Sequence, residues 1–305
     1  MGIVKPSPMK TPGFFLLFLL SSFFAFAQEE IKVDELTKPM SKGSQNGYIT
    51  EIPQTKLKDV TSAWKKYIRH DTKNSVQEEN KEIIMKETMI ANISSKPLYV
   101  YAQLLETEKN VRLIAFFSED DSLFISSQVS EDKSVAIKKF IRDFAIQQYK
   151  IAVYHELDGE KKKLSKLEDN LEDLIKDNEK AHRRINENDR KIDKTNEEIA
   201  TNRKEQEARA TEIANQKEVV RTLTGTTGET KDLADKKLKD LEKEKKKLEK
   251  KNESLHDDVE DYQSDTRQQQ RNIDKNEDDQ KTKKEEISNQ KVVVKNVEQK
   301  VNNIK

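Results

Sequence analysis

From Leu164 to Ile304 apolar residues return every three or four positions along two arms, and the arms are separated by Gly225-Thr226-Thr227-Gly228. In the first arm the spacing runs through Leu164, Leu167, Leu171, Leu174, Asn178, Ala181, Ile185, Asn188, Ile192, Ile199, Asn202 and Gln206, and Ile213 and Val220 keep the same phase. The second arm continues it without a slip from Leu238 and Leu241 through Leu248, Asn252, Leu255, Tyr262, Ile273, Asn276 and Ile287 to Val301 and Ile304. A seam that repeats every seven residues makes a left-handed coiled coil, because 3.5 residues per turn keeps it facing its partner. Glycine takes the positive φ that a reversal of direction requires, so residues 223–230 are expected to form the tip of an antiparallel helical hairpin over 158–305. The alternative is a straight helix that dimerises in parallel. At about 1.5 Å per residue a hairpin rod is about 110 Å long and a straight one about twice that.

Folding back at the glycine pair sets Asn202 opposite Asn252 and Asn178 opposite Asn276, with Ile199 by Leu255 and Ile213 by Leu241. Matched polar pairs in an aliphatic seam fix register, since sliding one arm leaves a buried amide without a partner at a cost of about 1–3 kcal/mol. Asn178, Asn276, Asn202 and Asn252 are therefore expected to set the register. The polar seam residues Gln206, Arg209, Lys245, Gln269, Gln280 and Lys283 weaken such a hairpin and leave open a homodimer through the coiled coil.

Only 33% of the 305 residues are apolar and 37% are charged, against about 45–50% and about 25% in ordinary globular domains. One large core is excluded. Lys plus Arg and Asp plus Glu both number 57, and neither half has a basic excess, so the electrostatic footprint of a nucleic-acid binder is missing. The run Lys243 to Lys251 is interleaved with Glu242, Glu244 and Glu249 and reads as a solvated face with i,i+4 pairing.

Residues 1–27 carry Lys5 and Lys10, an apolar stretch from Phe14 to Phe26, and Ala25-Phe26-Ala27 ahead of Gln28. This pattern is expected to be an export signal cleaved after Ala27, too short for a membrane anchor, which implies a periplasmic or secreted protein. No integral membrane segment is expected after cleavage. With no cysteine in the chain, disulfides, thiolate nucleophiles and Cys-ligated zinc are all ruled out.

Residues 28–47 are polar and are expected to be a flexible lead-in. A small α+β head follows over 48–157, an antiparallel meander with two helices. Leu57, Val60, Trp64 and Ile68 share one face of a helix. Strands are expected at about 82–93, 98–106, 111–117 and 122–126. A second helix buries Ile137, Phe140, Ile141 and Phe144, and Asp158-Gly159 is expected to be a kink or break between head and rod, since glycine costs about 1 kcal/mol inside a helix. Trp64, Phe140 and Phe144 are the expected head core. The order strand, helix, meander, helix over 47–150 resembles small exported α+β domains of TATA-binding-protein-like topology, which implies a shape and no activity.

Chemistry-bearing patterns are sparse. His70, His155, His182 and His256 show no metal-ligand spacing, and Glu119-Asp120-Asp121 and Asp257-Asp258 read as surface solvation. No nucleophile elbow, phosphate loop or dinucleotide fingerprint occurs, and no cofactor is expected. The expected function is that of an exported, non-enzymatic structural or adaptor protein with protein partners. The alternative is a head that binds a small ligand or peptide, with Tyr99, Tyr101, Phe116, Phe117 and Phe124 on its sheet, oligomerised through the coiled coil.

Overall fold

The computed structural model describes residues 30–69, 73–225 and 228–305; the expected export signal, His70, Thr226 and Thr227 lie outside them. The chain divides into two units, residues 1–155 with 298–305, and residues 156–297.

The first unit is an antiparallel six-stranded sheet with helices. In chain order the elements are β1 (Asp34–Met40), β2 (Gly43–Pro53), α1 (Leu57–Arg69), β3 (Gln77–Glu79), β4 (Glu82–Thr88), β5 (Leu98–Glu106), β6 (Asn110–Ser118), α2 (Glu131–Thr222) and α3 (Glu229–Asn303). The strands lie in the order β1-β2-β6-β5-β4-β3. The β5–β6 hairpin is the spine of the sheet, pairing Tyr99 with Ser118 through to Glu106 with Val111.

Side chains alternate across the pleat, and both faces of β6 are buried from Leu113 to Ser118. On one face Phe117 meets Phe140 of α2 edge to face with centroids 6.2 Å apart, and Tyr48 of β2 meets Phe117 at 6.4 Å. Trp64 of α1 closes this core against Phe144 at 4.9 Å and Phe140 at 6.2 Å. Trp64 and Phe144 are fully buried. On the other face Ile84, Tyr101, Ile114, Phe116 and Phe124 form a second cluster, against which Met40, Ile49 and Tyr99 pack.

The expected flexible lead-in is in large part strand. Residues 34–40 and 43–47 form a hairpin, with Asp34 paired to Ile49 and Met40 to Gly43. No apolar alternation announces it, because β1 is an edge strand whose residues are only partly covered. Pro39 is tolerated there because an edge position asks for no ladder donor on one side. The strand β3 is missed for the same reason: its three residues are all exposed. Asn80 and Lys81, with φ of 51° and 67°, connect it to β4 in a two-residue turn.

Strand β4 ends at Thr88 rather than continuing to Ile93. A register shift between Met85 and Thr88, with Glu87 at φ 55°, interrupts the ladder. The expected strand at 122–126 reduces to one bridge, Ser118 with Phe124. There the Asp120 carboxylate accepts the backbone N–H of Ser122 at 3.0 Å and of Leu123 at 2.8 Å, so a side chain supplies the hydrogen bonds that a ladder otherwise would.

A kink or break is expected at Asp158-Gly159, and of these the break does not occur: α2 is continuous from Glu131 to Thr222. Strong helix formers flank the glycine, and Asp158 pairs with Lys162 at 2.7 Å one turn on. A cost of about 1 kcal/mol is small beside the hydrogen bonds of the surrounding turns. Residues 298–305 of the C-terminal end belong to the first unit. Val301 and Ile304 are buried there, and Lys300 Nζ donates to Gln54 Oε1 at 2.7 Å.

The second unit is a helical hairpin in which α3 packs back along α2. Gly225 and Gly228 have φ of 95° and 139°, values that L side chains rarely adopt, and flank the reversal. The seam buries Ala181, Ile199 and Ile213 of α2 and Leu241, Leu255, Ile273 and Ile287 of α3.

Candidate functional site

A two-helix rod buries only a single file of side chains, so its specificity lies in the polar members of that file. Asn188, Asn202 and Gln216 are buried, at 4%, 2% and 8% exposure. They differ sharply in how they are satisfied.

Asn188 is the best connected. Its Nδ2 donates to Asp265 Oδ2 at 2.8 Å and lies 3.3 Å from Thr266 Oγ1 and 3.4 Å from the Tyr262 carbonyl on the facing arm. Arg184 Nε donates to the same Asp265 oxygen at 2.7 Å, and Gln269 Nε2 donates to Asp265 Oδ1 at 3.2 Å. These donors, Asn188 first and then Arg184, hold the Asp265 carboxyl down at about 2. One turn away Lys191 Nζ sits 5.5 Å from the centre of the Tyr262 ring. Polar contacts of this density between two arms belong to one register only.

The four asparagines expected to set the register do not hydrogen-bond in facing pairs. Asn202 Oδ1 instead accepts Gln206 Nε2 at 2.5 Å, and Asn276 Oδ1 accepts Gln280 Nε2 at 2.8 Å. In each case a glutamine one turn on, along the same helix, reaches the acceptor before the facing amide does. Buried Asn178 Nδ2, Asn202 Nδ2 and Asn252 Oδ1 are left without partners. Asp265, which accepts from Asn188, Arg184 and Gln269, lies beside the seam rather than in it. Its only sequence signal was its place next to Thr266, opposite Asn188.

Gln206 also donates to the Leu248 carbonyl at 3.3 Å, and Gln216 to the Ala234 carbonyl at 3.0 Å. Arg209 and Lys245 turn away from each other, Arg209 to Glu212 and Glu244 and Lys245 to Glu249. At the reversal, Gly225 and Gly228 have nothing within 4 Å of where a Cβ would stand, so they serve backbone conformation and not close packing. Among the described residues the lysine-rich run shows the expected i,i+4 pairing only at Lys245 and Glu249, 2.8 Å apart, while Glu242 and Glu244 cross to Lys217 and Arg209 of the other arm, at 3.3 Å and 3.1 Å.

In the head, Trp64, Phe140 and Phe144 come together with Tyr67, whose hydroxyl donates to the Phe140 carbonyl at 3.2 Å. Beside them lies a groove of about 640 Å³ lined by Tyr67, Ile90, Ala91, Ala136 and Phe140, with Lys66, Lys139, Asn92 and Asp143 at its rim. Of the aromatic residues expected on an open sheet face, Phe117 is buried on the α2 face of the sheet, and Tyr101, Phe116 and Phe124 are buried on the opposite face with Tyr99 packed against them. The β1–β2 hairpin covers that face. Ser41 N donates to Glu82 Oε1 at 3.0 Å, Gln103 Nε2 donates to the same oxygen at 2.9 Å and to the Pro39 carbonyl at 3.2 Å, and Lys42 pairs with Asp121 at 2.7 Å. Burial first, and then the hydrogen bond to the Asp121 carboxylate, push the pKa of the Tyr101 hydroxyl well above its ordinary value. Glu82 is 3% exposed and its Oε2 has no partner.

Among the described residues no group of three His, Asp or Glu side chains is placed to hold a metal ion, and no helix is long and apolar enough to cross a membrane. Comparison with protein-family models, with curated proteins and with solved structures finds no match.

Proposed function

We propose that the protein is an exported structural or adaptor protein whose helical hairpin acts as a spacer or partner-binding arm for the small α+β head. The observation that carries this reading is the investment of α2 and α3, 92 and 75 residues long, in a hairpin whose seam is specified by the Asn188–Asp265 layer. Precise register over such a length matters to a part whose reach is used. It matters little to a mere oligomerisation tag.

The test removes the same number of heptads from both arms while keeping residues 223–230 as the tip, and compares cross-linked partners of the shortened and full chains. Loss or change of partners is expected. Retention of every partner by the shortened chain overturns the reading. Export is tested separately by the mass of the protein recovered outside the cytoplasm, expected to begin at Gln28.

A second reading, a ligand-binding head, is supported by the groove between Tyr67, Ile90 and Phe140. Aromatic walls with a few polar groups at the rim suit a small apolar ligand. Filling the groove with Ala136→Trp separates the two readings, since only the second expects binding to be lost.

A further inference from the structure

The outward face of α3 carries two adjoining stripes of opposite charge. In a seven-residue repeat the positions away from the seam point outward. On α3 these include Lys243, Lys246, Lys247 and Lys250, all exposed. The glutamates interleaved with them in the sequence are taken up elsewhere, Glu242 by Lys217, Glu244 by Arg209 and Glu249 by Lys245. Among the described residues none of these four lysines has an ion-pair partner. About two to three turns beyond Lys250 on the same face stand Asp257, Glu260 and Asp261, exposed and equally unpaired. Many other exposed charges on the rod are neutralised within their own helix, as Lys176 is by Glu172 and Lys191 by Glu187.

Two copies of this face laid antiparallel are complementary. With a two-fold axis between Glu253 and Ser254, Lys250 lies opposite Asp257, Lys247 opposite Glu260 and Lys246 opposite Asp261, each pairing occurring twice. Asp240 then falls opposite Arg267, and the like-charged encounters, Lys236 with Arg271 and Glu229 with Asp278, lie at the outer ends, beyond Asp240 and Arg267. Sliding by one heptad either way is worse. One shift sets Lys250 against its own copy and Asp240 against Glu260; the other sets Asp257 against its own copy and Lys247 against Arg267. A polyanion attracted to the lysines meets the acidic stripe immediately beyond them.

We infer that the outward face of α3 from Asp240 to Arg267 is a self-association surface, joining two copies of the chain antiparallel about Glu253 and Ser254. The stripe has no apolar anchor, so charge sets its register and its specificity, and the association is weak and salt-dependent. This holds whether or not the rod works as a spacer.

Analytical ultracentrifugation of the full chain tests it. At about 50 mM salt the 35.5 kDa chain is expected to sediment as a dimer, with association weakened about tenfold or more by about 500 mM salt, where the screening length drops below about 5 Å. Reversing one stripe, with Lys246→Glu, Lys247→Glu and Lys250→Glu, or the other, with Asp257→Lys, Glu260→Lys and Asp261→Lys, is expected to give monomers of unchanged helicity. All six changes in one chain restore the dimer, because both stripes then have the opposite sign. In this cysteine-free protein Ser254→Cys is expected to cross-link to its own copy on oxidation and Ser288→Cys is not. A wild-type chain that stays monomeric at low salt, or a six-fold variant that does not regain association, overturns the proposal. So does binding to anionic vesicles or polyphosphate without self-association, which assigns the lysines to another class of partner.

Discussion

Asn188 Nδ2 donates to Asp265 Oδ2 at 2.8 Å across the two arms of the hairpin, and that oxygen also accepts Arg184 Nε at 2.7 Å. The carboxylate is thereby shared between a buried seam amide and a surface guanidinium. Its donors hold its pKa at about 2, below the ordinary aspartate value of 3.8. A lowered acid pKa in the folded state means stability that is present above the unfolded value and lost as pH falls through the folded one. Partial solvent exposure of the group screens the effect. Asp265→Asn is expected to destabilise the rod by about 1 kcal/mol at neutral pH, and the difference from wild type is expected to close between about pH 4 and pH 2. Thermal melts followed by circular dichroism at several pH values check both. A difference that persists unchanged at pH 2 contradicts the charged-layer account.

The layer of Asn202 and Asn252 should behave in the opposite sense. Asn202 Nδ2 and Asn252 Oδ1 are buried without partners, and replacing poorly satisfied buried polar groups by apolar ones of similar size is neutral or stabilising. Asn202→Leu with Asn252→Leu is expected to raise the melting temperature of the rod. Asn188→Leu, which strips a donor from Asp265, is expected to lower it. Melting curves that move the same way for both variants contradict this division of roles.

Gly47 lies under the Phe116 ring, where an added Cβ would come within 2.7 Å of two ring carbons. The ring is fully buried in the second cluster and cannot swing away. Gly47→Ala is expected to cost about 1–3 kcal/mol through overpacking, measured by urea denaturation. Gly43→Ala has open space around it and suffers only from its positive φ, so a smaller loss is expected there.

Phe144 stacks edge-on against Trp64 with centroids 4.9 Å apart, and both are fully buried. Phe144→Ala is expected to destabilise the head by about 3–5 kcal/mol. Because Trp64 is the one tryptophan of the chain, its fluorescence reports the loss directly as a shift to longer wavelength. An unshifted spectrum together with unchanged stability contradicts the packing described.

The parts of the fold legible in the sequence are those whose periodicity is imposed by burial. The heptads of α2 and α3, the glycine pair at the reversal, strand β5, and the faces of α1 and α2 that bury Trp64, Phe140 and Phe144 all bury one apolar stripe, and a stripe is visible in a one-dimensional string. Strands β1 and β3 were not legible, since edge strands are held by backbone pairing and show no alternation. The continuity of α2 through Gly159 is not legible, because the glycine penalty is local and visible in the string while the cooperativity of a long helix is not.

Residue spacing alone determined that this chain makes a long two-armed coiled coil beside a small mixed domain, because heptad period and glycine conformation are local properties. Tertiary structure decided which polar groups specify that coil. Whether a buried asparagine faces its counterpart or yields to a glutamine one turn away, and whether a glutamate in a lysine run stays on the surface or crosses to the other arm, depends on distances between arms far apart in sequence. Those distances set which hydrogen bonds and charges are satisfied.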